Sequence, residues 1–195
     1  MTTVKDWFLE PGAGLGCLFY GPPEDDLITG LVKGAGEHGW SVLVATGLAA
    51  DDHRAAGREL EAGLKRLAQV QDVEGTPLVL VGVGTPGTAA FLQACRSKRV
   101  AALAVIDVPL ILEDLDVQRP VQPLEMLLNL EAPLLRVEST DPAAIDSQQS
   151  QFVGLQLDAC ARIHESHSIP SDDLRAPLVL SLLETFLSNH LESFR

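Results

Sequence analysis

Six short apolar runs alternate along the chain with segments of helical pattern, and few folds accommodate this alternation. Each run has five to seven residues rich in Val, Leu and Ala, without strict polar alternation. Such runs are typical of strands covered by helices on both faces, as in a parallel sheet. The predicted strands are Leu15–Tyr20, Ser41–Ala45, Pro77–Gly82, Ala101–Asp107, Pro133–Val137 and Ala159–His164, with a further edge strand within Val4–Leu9. The pattern predicts an α/β fold: a doubly wound, mostly parallel sheet of about six or seven strands with helices on both faces.

Signals for helix starts and stops fall between these strands. Helices are predicted at Leu27–His38, at His53–Val70, directly after the run Pro77–Gly82 and from Pro177 onward. Asp25 or Asp26 can cap the first helix, Gly39 can end it, and Asp51 with Asp52 suits the positive end of the second. The segment Pro109–Leu130 is the least regular and is expected to cross the surface.

Composition bounds the class of protein. With 195 residues, 46% of them hydrophobic, a single domain spanning residues 1–195 can bury a substantial core. No segment has the roughly 18 uninterrupted apolar residues of a membrane span, and the first residues do not resemble an export signal. Cys17, Cys95 and Cys160 are far apart and odd in number, which indicates reduced thiols in a cytoplasmic protein. The net charge of −13 argues against nucleic acid and anionic membranes as partners, because both require a basic face.

The turn after the third run, Gly82-Val83-Gly84-Thr85-Pro86-Gly87, has two interpretations. One is the Gly-x-Gly-x-x-Gly turn of a dinucleotide-binding fold, with Asp107 at the end of the next strand as the ribose-binding acid. That fingerprint normally follows the first strand of its unit, whereas two strand–helix units precede it here. The other interpretation is the Gly-x-Ser-x-Gly nucleophile turn of α/β-hydrolases, with Gly84 in the position of the serine.

Several segments support the second interpretation by their order. Leu80–Gly87 resembles the strand, nucleophile turn and helix of small α/β-hydrolases of the dienelactone-hydrolase-like branch. Tyr20-Gly21-Pro22 resembles the strand-His-Gly turn that supplies the oxyanion hole, with Tyr20 in place of the histidine. Asp141, before Pro142, matches the acid of the triad, and His167 matches the catalytic histidine, with His164 as the alternative. The resemblance implies an α/β-hydrolase fold and places vestigial triad positions at Asp141, His167 and Thr85, beside Gly84.

The residues at these positions do not meet the requirements of acyl transfer. Gly84 has no nucleophile, and Thr85 is followed by Pro86, which has no N–H to donate to an oxyanion. At the oxyanion turn after Gly21, Pro22 and Pro23 also lack N–H groups. The expected function is therefore binding or assembly by a pseudoenzyme, with a small molecule, a protein or a second copy of the chain as partner.

Two alternatives remain at this stage. The first is an active hydrolase of small esters or thioesters that uses Thr85 or another nucleophile. The second is a dinucleotide-binding protein that uses Gly82, Gly84 and Gly87. No cofactor or metal site is expected, because His164 and His167 lack the His-Glu-x-x-His helical spacing of a zinc site.

Overall fold

The central sheet has seven strands, in the order β1-β3-β2-β4-β5-β6-β7. The structure is a computed structural model, and it describes residues 8–10, 15–22, 25–46, 52–69, 77–140, 146–160 and 163–191. The strands are β1 Phe8–Glu10, β2 Gly16–Gly21, β3 Ser41–Thr46, β4 Leu78–Val83, β5 Val100–Ile106, β6 Leu134–Ser139 and β7 His164–Ile169. All neighbouring strands are parallel except β1, which runs antiparallel to β3. The predicted α/β fold with a mostly parallel sheet is confirmed.

Helices cover both faces of the sheet and close two separate cores. The helices are α1 Asp26–Glu37, α2 His53–Ala68, α3 Gly87–Ala94, α4 Ser147–Cys160 and α5 Ala176–His190, with short 3-10 turns at Pro123–Asn129 and Ser171–Asp173. Helices α1 and α5 pack on one face, where Leu31, Phe186 and Val81 are fully or almost fully buried. Helices α2, α3 and α4 pack on the other, around Leu60 and Phe91. Strands β2 and β4 lie between the two layers and are buried along their whole length, which explains their continuous apolar runs.

The predicted helix caps are present. The Asp25 carboxylate accepts hydrogen bonds from the N–H groups of Leu27 and Ile28 at 2.8 and 3.1 Å. Asp52 caps α2 in the same way, with two bonds of 2.9 Å. Gly39 ends the first helical segment with a φ of +75°, a conformation that glycine adopts at little cost.

The last predicted strand is wrong. The segment Ala159–His164 was expected to be a strand, but Ala159 and Cys160 end α4, and the strand begins at His164. The apolar residues before Cys160 belong to a helix that buries Val153 and Leu157, four residues apart. Strand β7 was missed because it lies at the edge of the sheet, so a mostly polar sequence suffices there. The edge strand expected within Val4–Leu9 is described only at Phe8–Glu10.

The order of the strands determines where functional loops meet. From β2 the chain moves outward to β3, then returns to place β4 on the other side of β2. This reversal is the topological switch point of the sheet, where ligands of open α/β sheets bind at the carboxyl ends of the strands. The turns after β2 and β4 are therefore neighbours. They contain Gly21 with Pro22, and Gly84 with Thr85.

Candidate functional site

The turn from β4 into α3 has the backbone of a sharp elbow. Gly84, at its apex, has a φ of +59°, and its N–H bonds to the carbonyl oxygen of Ile106 at 2.9 Å. The N–H of Gly87 returns to the oxygen of Gly84 at 2.9 Å, and α3 begins at Gly87. In α/β-hydrolases the nucleophile lies on a strained strand-to-helix turn of this kind. The elbow geometry is present, with a glycine at its apex.

Close packing explains the other two glycines of the turn. A Cβ on Gly82 would lie 2.9 Å from both the Cα and the oxygen of Gly87, and 2.9 Å from the Cβ of Ala90. A Cβ on Gly87 would lie 2.5 Å from Val108 and 2.8 Å from the backbone of Gly82. These distances are too short for any real side chain, so β4 and α3 require glycine at both positions. The Gly-x-Gly-x-x-Gly spacing therefore follows from strand–helix contact and needs no bound phosphate.

The open side of the elbow faces the turn after β2. A Cβ on Gly84 would meet Pro22 Cγ at 3.6 Å and Pro86 Cδ at 3.9 Å, which are ordinary contacts. A side chain at position 84 would thus project toward the predicted oxyanion turn. At that turn a Cβ on Gly21 would collide with Ile28, and Pro22 has no N–H to offer. The turn with Gly21 and Pro22 therefore lies next to the turn with Gly84 and Thr85.

Tyr20 does not act as a polar group in this turn. Its ring is fully buried, and its hydroxyl has no hydrogen-bond partner among the described residues. Burial, with a smaller effect from the charge of Glu59, raises the pKa of Tyr20 far above its usual value. Tyr20 packs with Leu60 and Leu64 in the core under α2, so it has a packing role at the position where the resemblance expects histidine.

The histidines near the C-terminus lie within β7. His167 was expected after the last strand, but it is the fourth residue of β7, and its Nε2 is 3.7 Å from Glu165 Oε2. Glu165 also accepts a bond of 2.7 Å from His190 of α5. The Nε2 of His164 lies 3.1 Å from Asp158. Asp141, the predicted acid, lies outside the described residues. The role of His167 as a triad base stays a prediction, and its described partner is Glu165.

The strand register separates His167 from the elbow. His167 pairs with Val137, Val137 with Ile106, and Ile106 with Val83. Three strand spacings of about 4.8 Å place the His167 backbone about 14 Å from that of Val83. A histidine that acts as a base at the elbow would have to come from a loop at the carboxyl ends of the strands. The loop after β7, Pro170–Arg175, contains two aspartates and no histidine.

Asp107 connects two strand ends. It has a φ of +49°, and its carboxylate accepts a hydrogen bond of 2.6 Å from the N–H of Ser139. Its own N–H bonds to the oxygen of Val137 at 2.9 Å. These bonds join the carboxyl ends of β5 and β6 beside the elbow. Asp107 thus has the role of a turn residue that ties two strands together, where the dinucleotide interpretation expects a ribose-binding acid.

Two buried cysteines lie away from the elbow, since Cys17 is near the start of β2 and Cys95 follows the end of α3. Cys17 and Cys95 are buried, and burial raises the pKa of both thiols, that of Cys95 to about 12. Protonated thiols are poor nucleophiles. Among the residues that the structure describes, no group of three or more His, Cys, Asp or Glu side chains is placed to hold a metal ion. Within the same part of the chain, no helix is long and apolar enough to cross a membrane.

A buried ionic cluster beneath α4 was missed from the sequence. Arg136 and Glu138, both on β6, form an ion pair with 5% and 6% of each residue exposed. Ser150 of α4 donates its hydroxyl to the Glu138 carboxylate and accepts a bond from the Arg136 guanidinium at 3.1 Å. Burial lowers the pKa of Arg136, and the charge of Glu138 opposes that shift. Arg and Glu at alternate positions of an otherwise apolar strand were the available signal.

Comparison with known structures identifies the fold. No protein-family model matches the chain, and no curated protein is similar enough in sequence to be matched with it. Est1E from Butyrivibrio proteoclasticus superposes with a TM-score of 0.74 at 16% identity, covering 93% of this chain and 89% of Est1E. The α/β hydrolase GrgF from Penicillium sp. sh18 gives 0.75 at 13% identity, covering 95% and 93%. The chain has the α/β-hydrolase fold.

A third α/β-hydrolase-fold neighbour bears on the branch predicted from the sequence. A candidate dienelactone hydrolase from Klebsiella pneumoniae subsp. pneumoniae MGH 78578 gives a TM-score of 0.72 at 13% identity, covering 95% of this chain and 88% of its own. These neighbours confirm the predicted α/β-hydrolase fold. Because all three identities are low, the likeness extends to architecture and leaves function to the site itself.

Proposed function

We propose that this α/β-hydrolase-fold protein is a pseudoenzyme that binds a small molecule or a protein and does not form an acyl-enzyme. Gly84 carries the proposal. It occupies the apex of the elbow with a φ of +59°, where an acyl-transfer enzyme of this fold needs a hydroxyl or thiol. A side chain at position 84 would fit in the space toward Pro22, but glycine has no side chain and so places no nucleophile there.

The neighbouring hydroxyl is a poor substitute. Thr85 is exposed beside the apex, but the next residue, Pro86, has no N–H. An oxyanion formed at Thr85 would lack the donor that normally follows the nucleophile, and Pro22 removes a second donor at the facing turn. Loss of one such donor costs about 3–4 kcal/mol of transition-state stabilisation. A Thr85 nucleophile would therefore be slow even if a base were present.

Neither of two candidate histidine bases, His167 and His53, has a described contact with the apex. His167 lies within an edge strand, about three strand spacings from β4. His53 begins α2, and it lines a groove with Gln93 and Arg96. Without a base a hydroxyl stays protonated and weakly nucleophilic at neutral pH.

An activity-based probe tests the proposal directly. We expect a fluorophosphonate probe to leave the purified chain unlabelled, and p-nitrophenyl acetate and butyrate to be turned over no faster by native protein than by heat-denatured protein. The Thr85→Ala and His167→Ala variants serve as controls. Saturable ester hydrolysis that disappears in either variant would replace this proposal by the alternative of a small ester or thioester hydrolase. Two fold neighbours named as hydrolases make that the main alternative.

A further inference from the structure

A groove runs along the outer side of α2, between that helix and the C-terminal end of α3. It is lined by His53, Arg54, Arg58, Glu61, Gln93 and Arg96, among others. Its volume is about 780 Å³, within the range of roughly 300–1,000 Å³ that small-molecule sites occupy. It lies on the face opposite α1 and α5 and includes none of the elbow residues.

The charge of this groove is opposite to that of the whole chain. The chain has a net charge of −13, with 14 Lys and Arg residues in total. Four of these 14 line the groove, Arg54, Arg58, Lys65 and Arg96, against one carboxylate, that of Glu61. Cations concentrated in a concave surface raise the local concentration of anions, even on an acidic protein.

Three guanidinium groups in the groove are not held in an ion pair, although backbone hydrogen bonds, helped by the charges of Arg54 and Arg58, lower the pKa of the Asp52 carboxyl. Glu61 is already occupied, since it lies 3.3 Å from Lys65 Nζ and accepts a bond of 2.8 Å from Gln93 Nε2. The side chains of Arg54, Arg58 and Arg96 take part in no ion pair or hydrogen bond among the described residues. Arg54 and Arg58 are one helical turn apart on α2, a spacing at which like charges destabilise a helix. An anion between them would relieve that repulsion.

A buried imidazole marks one end of the same groove. Only 5% of His53 is exposed, and its Nδ1 has no hydrogen-bond partner among the described residues. Buried polar nitrogens are normally satisfied, but this one is closed off from the surface, so the groove itself does not supply its partner. Its surroundings are Arg119 and Arg96, with Asp116 and Asp52 as the opposing charges. The three arginines therefore supply the donors for an anion in the groove, and His53 forms part of its wall.

We propose that this groove binds the phosphate group of a small phosphorylated molecule. Guanidinium groups match phosphate oxygens in a two-point geometry, and Arg54, Arg58 and Arg96 supply three of them from two walls. The site is separate from the elbow and does not depend on whether the elbow is catalytic.

Calorimetric titration with inorganic phosphate and pyrophosphate at low ionic strength tests the site. We expect one saturable site that tightens from phosphate to pyrophosphate. Arg58→Gln and Arg96→Gln should each weaken binding by about tenfold or more, the effect of losing a charge-assisted hydrogen bond. Arg58→Lys keeps the charge but loses the two-point hydrogen bonding of a guanidinium, so its affinity for phosphate should lie between those of wild type and Arg58→Gln. Lys33→Gln, on the opposite face at α1, changes the net charge equally and should alter binding less than about twofold.

Three results would overturn the proposal. The first is no saturable binding of either probe by wild-type protein. The second is an equal loss of phosphate affinity in Lys33→Gln and Arg58→Gln, which would mean that only the net charge of the protein matters. The third is binding to vesicles containing a phosphoinositide without binding to free pyrophosphate, which would assign the groove to a membrane headgroup. Circular dichroism of each variant, matched to wild type, ensures that lost binding reports the groove and not the fold.

Discussion

Gly82 and Gly87 face each other across the turn between β4 and α3, so closely that a Cβ on Gly82 would lie 2.9 Å from the Cα of Gly87. The distance brings the first turn of α3 against the end of a central strand. It sets the angle at which the elbow projects from the sheet and positions Gly84 toward Pro22. Backbone contact, rather than any side chain, therefore builds the candidate site.

The Gly82→Ala variant should be destabilised by about 1–3 kcal/mol, the usual effect of inserting atoms into a packed core. The atoms it would meet are backbone and the Cβ of Ala90, which have little freedom to move. Urea unfolding measures the change. Gly154→Ala is the matched control because a Cβ there would meet nothing within 4 Å beyond the nearby backbone of its own helix. That control should be neutral or stabilising by up to about 1 kcal/mol, and equal destabilisation of both variants would contradict the packing argument.

The Gly84→Ser variant should fold with a loss of about 1–2 kcal/mol, the cost of the left-handed conformation for a residue with a Cβ. Its new side chain would make only ordinary contacts with Pro22 and Pro86, so steric collision adds nothing. Ester turnover should stay at background because the base and the second oxyanion donor are still lacking. Chemical denaturation and fluorophosphonate labelling measure the two effects. Rapid turnover by this variant would show that a base and donors reach the elbow after all.

Removing one partner of the buried ion pair on β6 should cost more stability than removing both. Arg136→Met leaves Glu138 buried without its cation, and about 3–5 kcal/mol should be lost. The double variant Arg136→Met/Glu138→Leu leaves no unpaired charge and should recover much of that loss. A double-mutant cycle by urea unfolding gives the coupling free energy. Additive effects would mean that the two side chains are not coupled.

His53 should make stability depend on pH near neutrality. Burial, together with Arg119 and Arg96, lowers the pKa of His53 below its ordinary value, against the opposing charges of Asp116 and Asp52. The unfolded chain then binds more protons than the folded one as pH falls below about 6.5. Stability present above that pH should be lost progressively as pH falls through the folded pKa. Unfolding of wild type and His53→Gln between pH 5 and 8 should diverge in slope, and identical slopes would contradict the assignment.

Sequence patterns predicted the parts of this fold that depend on burial. Strands β2 to β6 were placed within a few residues because each is covered on both faces, and α1 and α2 because Asp25 and Asp52 cap them. Strand β7 was misplaced because an edge strand does not need an apolar sequence. The elbow was found from local spacing alone. The groove between α2 and the end of α3 was not found from the sequence, because Arg58 and Arg96 are 38 positions apart and line one groove only when α3 packs on α2.

The position of β2 in the sheet also affects how the chain is made. One edge of β2 pairs with β3 soon after synthesis, but the other waits for β4, about 60 residues later. At about 5–20 residues per second, that edge stays open for roughly 3–12 seconds. Cys17, Leu18, Phe19 and Tyr20 are all buried in the finished fold. During each round of translation this apolar strand offers unpaired backbone to other chains, so its encounter with a chaperone is expected before β4 emerges.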